Sequence, residues 1–82
     1  MEKTAKIAYK LAVCAKVGNA LVPEIGAVLI RAGGKPVTVD AITQEVNCAP
    51  ITARKALFAM STYQFACEVE GGWRMNTEKV LA

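Results

Sequence analysis

The sequence predicts an α+β chain, mostly α, with four helices followed by one β-hairpin. Three observations carry that prediction. Apolar residues recur at steps of three and four from Ile7 to Met60. The pattern then switches to alternation at Phe65, Cys67 and Val69. Glycine and proline fall between the blocks, at Gly18, Gly33-Gly34, Pro36, Pro50 and Gly71-Gly72, where the chain must turn.

Residues 3–17 read as the first helix, rich in Ala, Lys and Leu, which are good helix formers. Ile7, Leu11, Cys14 and Ala15 form its apolar stripe, and Lys3, Lys6 and Lys10 form a neighbouring basic one. Gly18 stops it, and Asn19 is placed to cap the next helix. The second helix starts at about Ala20 or Pro23 and runs to Ala32, burying Ile25, Val28, Leu29 and Ala32. Pro23 fits only in a first turn, where its missing N–H is not needed. Gly33-Gly34 ends this helix and Pro36 prevents a restart.

Val37-Thr38 is expected to hold a very short strand. Thr38 then caps a third helix, Val39 to about Val46, with Asp40 placed to suit the helix dipole and Val39, Ile42 and Val46 inward. Asn47-Cys48-Ala49 is a tight break, and Pro50 opens a fourth helix to about Thr62 with Ala53, Ala56, Leu57 and Met60 buried. In the hairpin, Phe65, Cys67 and Val69 are expected inside. A three-residue loop, Glu70-Gly71-Gly72, sets Val69 against Trp73, Glu68 against Arg74 and Cys67 against Met75, with apolar pairs inside and a charge pair outside. The tail from Asn76 to Ala82 forms a further helical turn or frays.

Composition narrows the function classes. The 82 residues suit a single domain spanning 1–82, and a chain this short buries only about 60–65% of its unfolded surface. A hydrophobic content of 54% against 21% charged residues excludes a disordered tail. There is no histidine, which removes the commonest general base and metal ligand. The three cysteines, Cys14, Cys48 and Cys67, are odd in number, widely spaced and without a CxxC pair, so buried apolar packing is the reading for Cys14 and Cys67. Ser61 and Tyr63 have no base beside them, and Gly33-Gly34-Lys35 is too short for a phosphate-binding loop. An enzyme, a cofactor and a metal site are therefore not expected. Lys10 and Lys16 interrupt any signal-peptide core. The stretch from Leu11 to Ile30 holds Lys16, Asn19, Pro23 and Glu24, against a membrane span, so a soluble cytoplasmic protein is expected.

The order helix, short strand, helix, tight turn, helix, hairpin resembles the winged helix-turn-helix family. Thr38 to Val46 resembles that family's positioning helix, and Asn47 to Leu57 its turn and recognition helix. Phe65 to Met75 is similar to its two-stranded wing, with a Gly-rich tip followed by an aromatic residue. The resemblance implies a three-helix core plus wing over residues 20–76, with residues 3–17 as an additional helix. Two departures stand out. Asn47 and Ala49 replace the family's usual glycine and serine. Asn47 tolerates the left-handed backbone, whereas the missing cap at Ala49 costs about 1 kcal/mol. Glu68 and Glu70 occupy a wing where Lys or Arg is usual, and acid repels phosphate.

The resemblance implies double-stranded DNA as partner, with helix 50–62 in the major groove. Burial of Ala53, Ala56 and Leu57 leaves Ile51, Thr52, Arg54, Lys55 and Phe58 outward. Arg54 is expected to read guanine, Ile51 a thymine methyl, and Lys55 and Thr52 phosphates or bases. Thr38 and Gln44 would hold the backbone, and Arg74 completes the expected DNA-binding set. The net charge of +3 is unevenly spread: net +2 over residues 1–30, +2 over 31–63 and −1 over 64–82. A regulator or accessory factor of a compact genome, such as a phage or plasmid, fits the economy of the chain. A homodimer through the N-terminal helix would add affinity. The competing expectation is a winged-helix protein-interaction module, an adaptor or inhibitor of a larger host complex, favoured by the acidic wing and the apolar Ile51 and Phe58. A purely structural oligomer is the third.

Overall fold

Helix α1 covers Glu2–Val17, starting one residue earlier than the sequence pattern implies. The computed structural model describes residues 2–81, with side chains from residue 5 onward; Lys3 of the predicted basic stripe lies outside the described side chains. The Gly18 N–H donates to the Cys14 carbonyl at 2.9 Å and ends α1. At this point α1 passes so near the fourth helix that a Cβ on Gly18 would lie 2.7 Å from the Ala59 Cβ. Asn19 then works in two directions. Its Oδ1 accepts from the Leu21 N–H at 3.0 Å, and its Nδ2 donates to the Thr52 carbonyl at 3.0 Å.

Helix α2 covers Val22–Arg31 with Pro23 in its first turn, where no amide is required. It buries Val22, Ile25, Val28 and Leu29. Gly26 faces α1, and a Cβ there would meet the Leu11 side chain at 2.6 Å, so the two helices pack closely. Helix α3 covers Val39–Val46. The Thr38 hydroxyl accepts from the Ala41 N–H at 3.1 Å, the cap its position predicts. Asn47 adopts φ +61, the left-handed conformation expected of the tight break. Helix α4 covers Pro50–Thr62, and Ala49 provides no side-chain cap. The end of α4 is a feature the sequence pattern does not announce. Gln64 is left-handed at φ +65, its N–H donates to the Ser61 carbonyl at 2.9 Å, and the Phe65 N–H donates to the Met60 carbonyl at 2.8 Å. That pair of bonds is a Schellman closure built on glutamine instead of glycine.

Strands β1 (Ala66–Val69) and β2 (Gly72–Met75) pair antiparallel. Their register corrects the expected one. Ala66 faces Met75, Cys67 faces Arg74, Glu68 faces Trp73 and Val69 faces Gly72, so the loop is the two residues Glu70-Gly71. Cys67 and Val69 therefore lie on the outer face with Arg74, only half-buried, and Glu68 and Arg74 are not cross-strand partners. The cause is non-local. Val37 bridges the far edge of β2, exchanging two 2.8 Å hydrogen bonds with Trp73. A Cβ on Gly72 would lie 2.3 Å from the Val37 carbonyl oxygen, so only glycine fits beside that bridge. The glycine pair is thus divided: Gly71, at φ +94, makes the turn, and Gly72 serves the strand.

The tail forms helix α5, Thr77–Leu81, which buries Val80 completely. The core draws on every element, including Leu11 and Cys14 from α1, Ile25 and Leu29 from α2, Ile42 from α3, Leu57 and Met60 from α4, and Trp73 from β2. Among the described residues no polar side chain is buried, and no helix is long and apolar enough to cross a membrane.

Candidate nucleic-acid interface

Helix α4 turns Ala53, Ala56, Leu57, Ala59 and Met60 inward. The helical period then puts Ile51, Arg54, Lys55 and Phe58, spaced at three, four and seven, on one outward face. All four are exposed, Ile51 at 76% and Phe58 at 56%. Thr52 sits at the margin, half-buried, with its carbonyl held by Asn19. The ring of Phe58 is set edge-on against Trp73, with centroids 5.9 Å apart and planes at 76°. Trp73 is itself only 5% exposed, so a core side chain backs this outward aromatic.

The electrostatics of the face depend on what is missing around it. No acidic residue lies in α4, and the side chains of Arg54 and Lys55 make no ion pair or hydrogen bond among the described residues. Other cations are already engaged. Arg31 pairs with Glu45, across from α2 to α3. Lys6 donates to the Leu81 carbonyl at 3.2 Å, and the Lys10 ammonium lies 5.7 Å from the centre of the Phe65 ring. Lys6 and Lys10 thus tie α1 to the C-terminal part of the chain.

The remaining expected site residues are distributed around α4. Thr38 is exposed next to the hairpin, its hydroxyl oxygen occupied as an acceptor in capping α3 while its O–H is not used in that bond. Gln44 is exposed on α3, three residues before the Asn47 turn. Arg74 is half-buried on the outer face of the hairpin, opposite Cys67. The structure therefore unites Ile51, Arg54 and Lys55 on one surface and leaves Thr38, Gln44 and Arg74 on separate elements. Phe58, expected outward but not counted among the DNA-binding residues, shares that surface. Asn19, which holds the first turn of α4, is the positioning residue that the local sequence pattern does not reveal, because its partner lies 33 positions away.

The hairpin contributes the opposite sign. Glu68 and Glu70 are exposed, and a Cβ on Gly71 would lie 3.5 Å from the Pro36 side chain, so the hairpin tip rests against that loop. Cys14 is fully buried, and burial pushes its pKa above the ordinary 9.0, keeping it protonated. Among the described residues, no group of three or more Cys, Asp or Glu side chains gathers to hold a metal. Comparison with family models, with characterised proteins and with solved structures finds no match to this chain.

Proposed function

We propose that this chain is a small winged helix-turn-helix protein that binds double-stranded DNA sequence-specifically, with α4 as the recognition helix and β1-β2 as the wing. One observation carries the reading: Arg54 and Lys55, both unpaired among the described residues, share an exposed face with Ile51 and Phe58 on the helix after the Asn47 turn. The element order α2, Val37 bridge, α3, α4, hairpin supports it. The major groove admits one α-helix, and cations alone there would bind any sequence. Arg54 adds directional, two-pronged hydrogen bonding to guanine O6 and N7. Ile51 and Phe58 lie about 10.5 Å apart along the axis, roughly three base-pair steps, and suit thymine methyl groups on either side of that guanine. Lys55 and Thr52 reach phosphate, Thr38 and Gln44 steady the backbone, and Arg74 is the cation of an otherwise acidic wing. The protein acts by occupying DNA, as a regulator or accessory factor, and not by catalysis.

An electrophoretic shift with a pool of random duplexes at about 50 mM salt tests this. Wild type is expected to shift the pool, and Arg54→Ala with Lys55→Ala to weaken binding by about 100-fold, taking 1–3 kcal/mol per contact. An unshifted pool, or an undiminished shift by the double variant, contradicts it. The exposed apolar pair and the acidic hairpin favour one other reading, a winged-helix module that binds a protein. A stoichiometric protein partner retained after nuclease treatment, together with an unshifted DNA pool, supports that alternative.

A further inference from the structure

On the far side of α2 from α4, an apolar groove of about 250 Å³ runs between α1 and α2, lined by Ile7, Ala8, Leu11, Pro23, Ala27 and Ile30. Ile30 is 39% exposed there, a large apolar side chain on a helix whose inner face already fills the core. The flank of α1 beside the groove continues with exposed Ala5 and Ala12, and Lys16 follows one turn beyond Ala12 in the last turn of the helix. Lys6 and Lys10 point to the other flank, toward Leu81 and Phe65. Along the opposite edge of α2 stand Glu24 and Arg31, both exposed, one on each side of Ala27.

We infer that a second copy of this chain docks on this groove, about a two-fold axis that lies in the face and crosses α2 at Ala27. The charge order on α2 is the argument. Such an axis reverses the second α2 while keeping the apolar edge over the apolar edge. Pro23 then comes opposite Ile30 of the second copy and Glu24 opposite its Arg31, each to within one residue, and Ala27 faces its counterpart, where a small side chain lets the helices approach closely. The same pairs recur in mirror order, the self-complementarity that a two-fold interface requires. A parallel two-fold would instead lay the Glu24 and Arg31 edge of each copy over the Pro23 and Ile30 edge of the other, setting charge against apolar side chains. Arg31 keeps Glu45 of its own chain, because a guanidinium has five donors and serves two carboxylates. The outer face of α4 stays free, since α4 packs on the inner side of α2. This pairing stands apart from the DNA reading and survives its failure.

The face is small. A 16-residue α1 is about 24 Å long, and two helices side by side offer less than the roughly 800 Å² per partner of a standard interface. The dimer is therefore expected to dissociate on dilution. Sedimentation velocity on the full chain from about 1 to about 500 μM reads this directly, with a mass rising from one chain to two. Ile30→Glu is expected to leave one chain throughout. Glu24→Arg and Arg31→Glu are each expected to weaken the dimer tenfold or more, and the double exchange Glu24→Arg with Arg31→Glu to recover to within about threefold of wild type. Thermal melts of each variant establish that it is folded. A single-chain mass at every concentration for wild type overturns the inference, as does a dimer indifferent to Ile30→Glu and Glu24→Arg. A double exchange no better than its single variants also overturns it.

Discussion

The outer face of α4 and the groove between α1 and α2 both expose large apolar side chains, yet they ask for different partners. The α4 face is cationic without an acid on its helix, so two copies set face to face would repel. On the proposed reading its partner is a polyanion. On the α1–α2 face, Glu24 stands three residues before Ala27 and Arg31 four after it, and Lys6 and Lys10 are turned away to Leu81 and Phe65. It complements itself. Exposed apolar area alone therefore says little about a surface. The sign and order of the charges around it select the partner, and the apolar residues then set how closely that partner can approach.

Three substitutions sharpen the contrast, beginning with the most damaging. Trp73 backs Phe58 on the α4 side and is bridged to Val37 on the other, so Trp73→Ala is expected to cost about 3–5 kcal/mol, a large part of what holds so small a domain. A urea melt reads the loss, and both faces should fail together; survival of either at full strength would mean that the hairpin does not support it. Next comes Asn19→Ala, which removes the bonds to Leu21 and to the Thr52 carbonyl at a cost of about 1–2 kcal/mol. Because Asn19 positions the first turn of α4, DNA affinity should fall severalfold while self-association through α1 and α2 stays unchanged in sedimentation. The smallest effect is a gain. Gln64→Gly relieves a left-handed glutamine at the end of α4 and should stabilise the fold by about 1 kcal/mol, read as a higher melting temperature, with both faces unaltered.

The helices are legible in the sequence because their determinants are local. The three-and-four spacing through Leu11, Cys14, Ile25, Leu29 and Leu57 marks buried faces, and Thr38, Pro23, Pro50 and Asn47 each act within a turn of their own position. The outward residues of α4 are set by the same periodicity. The hairpin register is not legible, because alternation at Phe65, Cys67 and Val69 is a local signal and the deciding contact is distant. Val37, bonded across to Trp73, claims Gly72 for the strand and shifts the pairing by one residue. That slip moves every side chain of β1 relative to its partner strand, which is why Cys67 and Val69 emerge on the outside. Phe65 is still buried, but by the turn after Gln64 and not by a place in β1. The links between Asn19 and Thr52 and between Arg31 and Glu45 are equally silent in a linear pattern, since each joins two elements that meet only on folding.

Titration of the isotopically labelled chain with a selected DNA duplex, monitored through its backbone amide resonances, compares the two faces in one experiment. The DNA-binding reading predicts saturable shifts concentrated at Ile51, Thr52, Arg54, Lys55 and Phe58, with smaller ones at Thr38, Gln44 and Arg74, and none in the groove lined by Ile7 and Ile30. Resonances that stay fixed at millimolar duplex, or shifts gathered on α1 and α2 with α4 untouched, would contradict it.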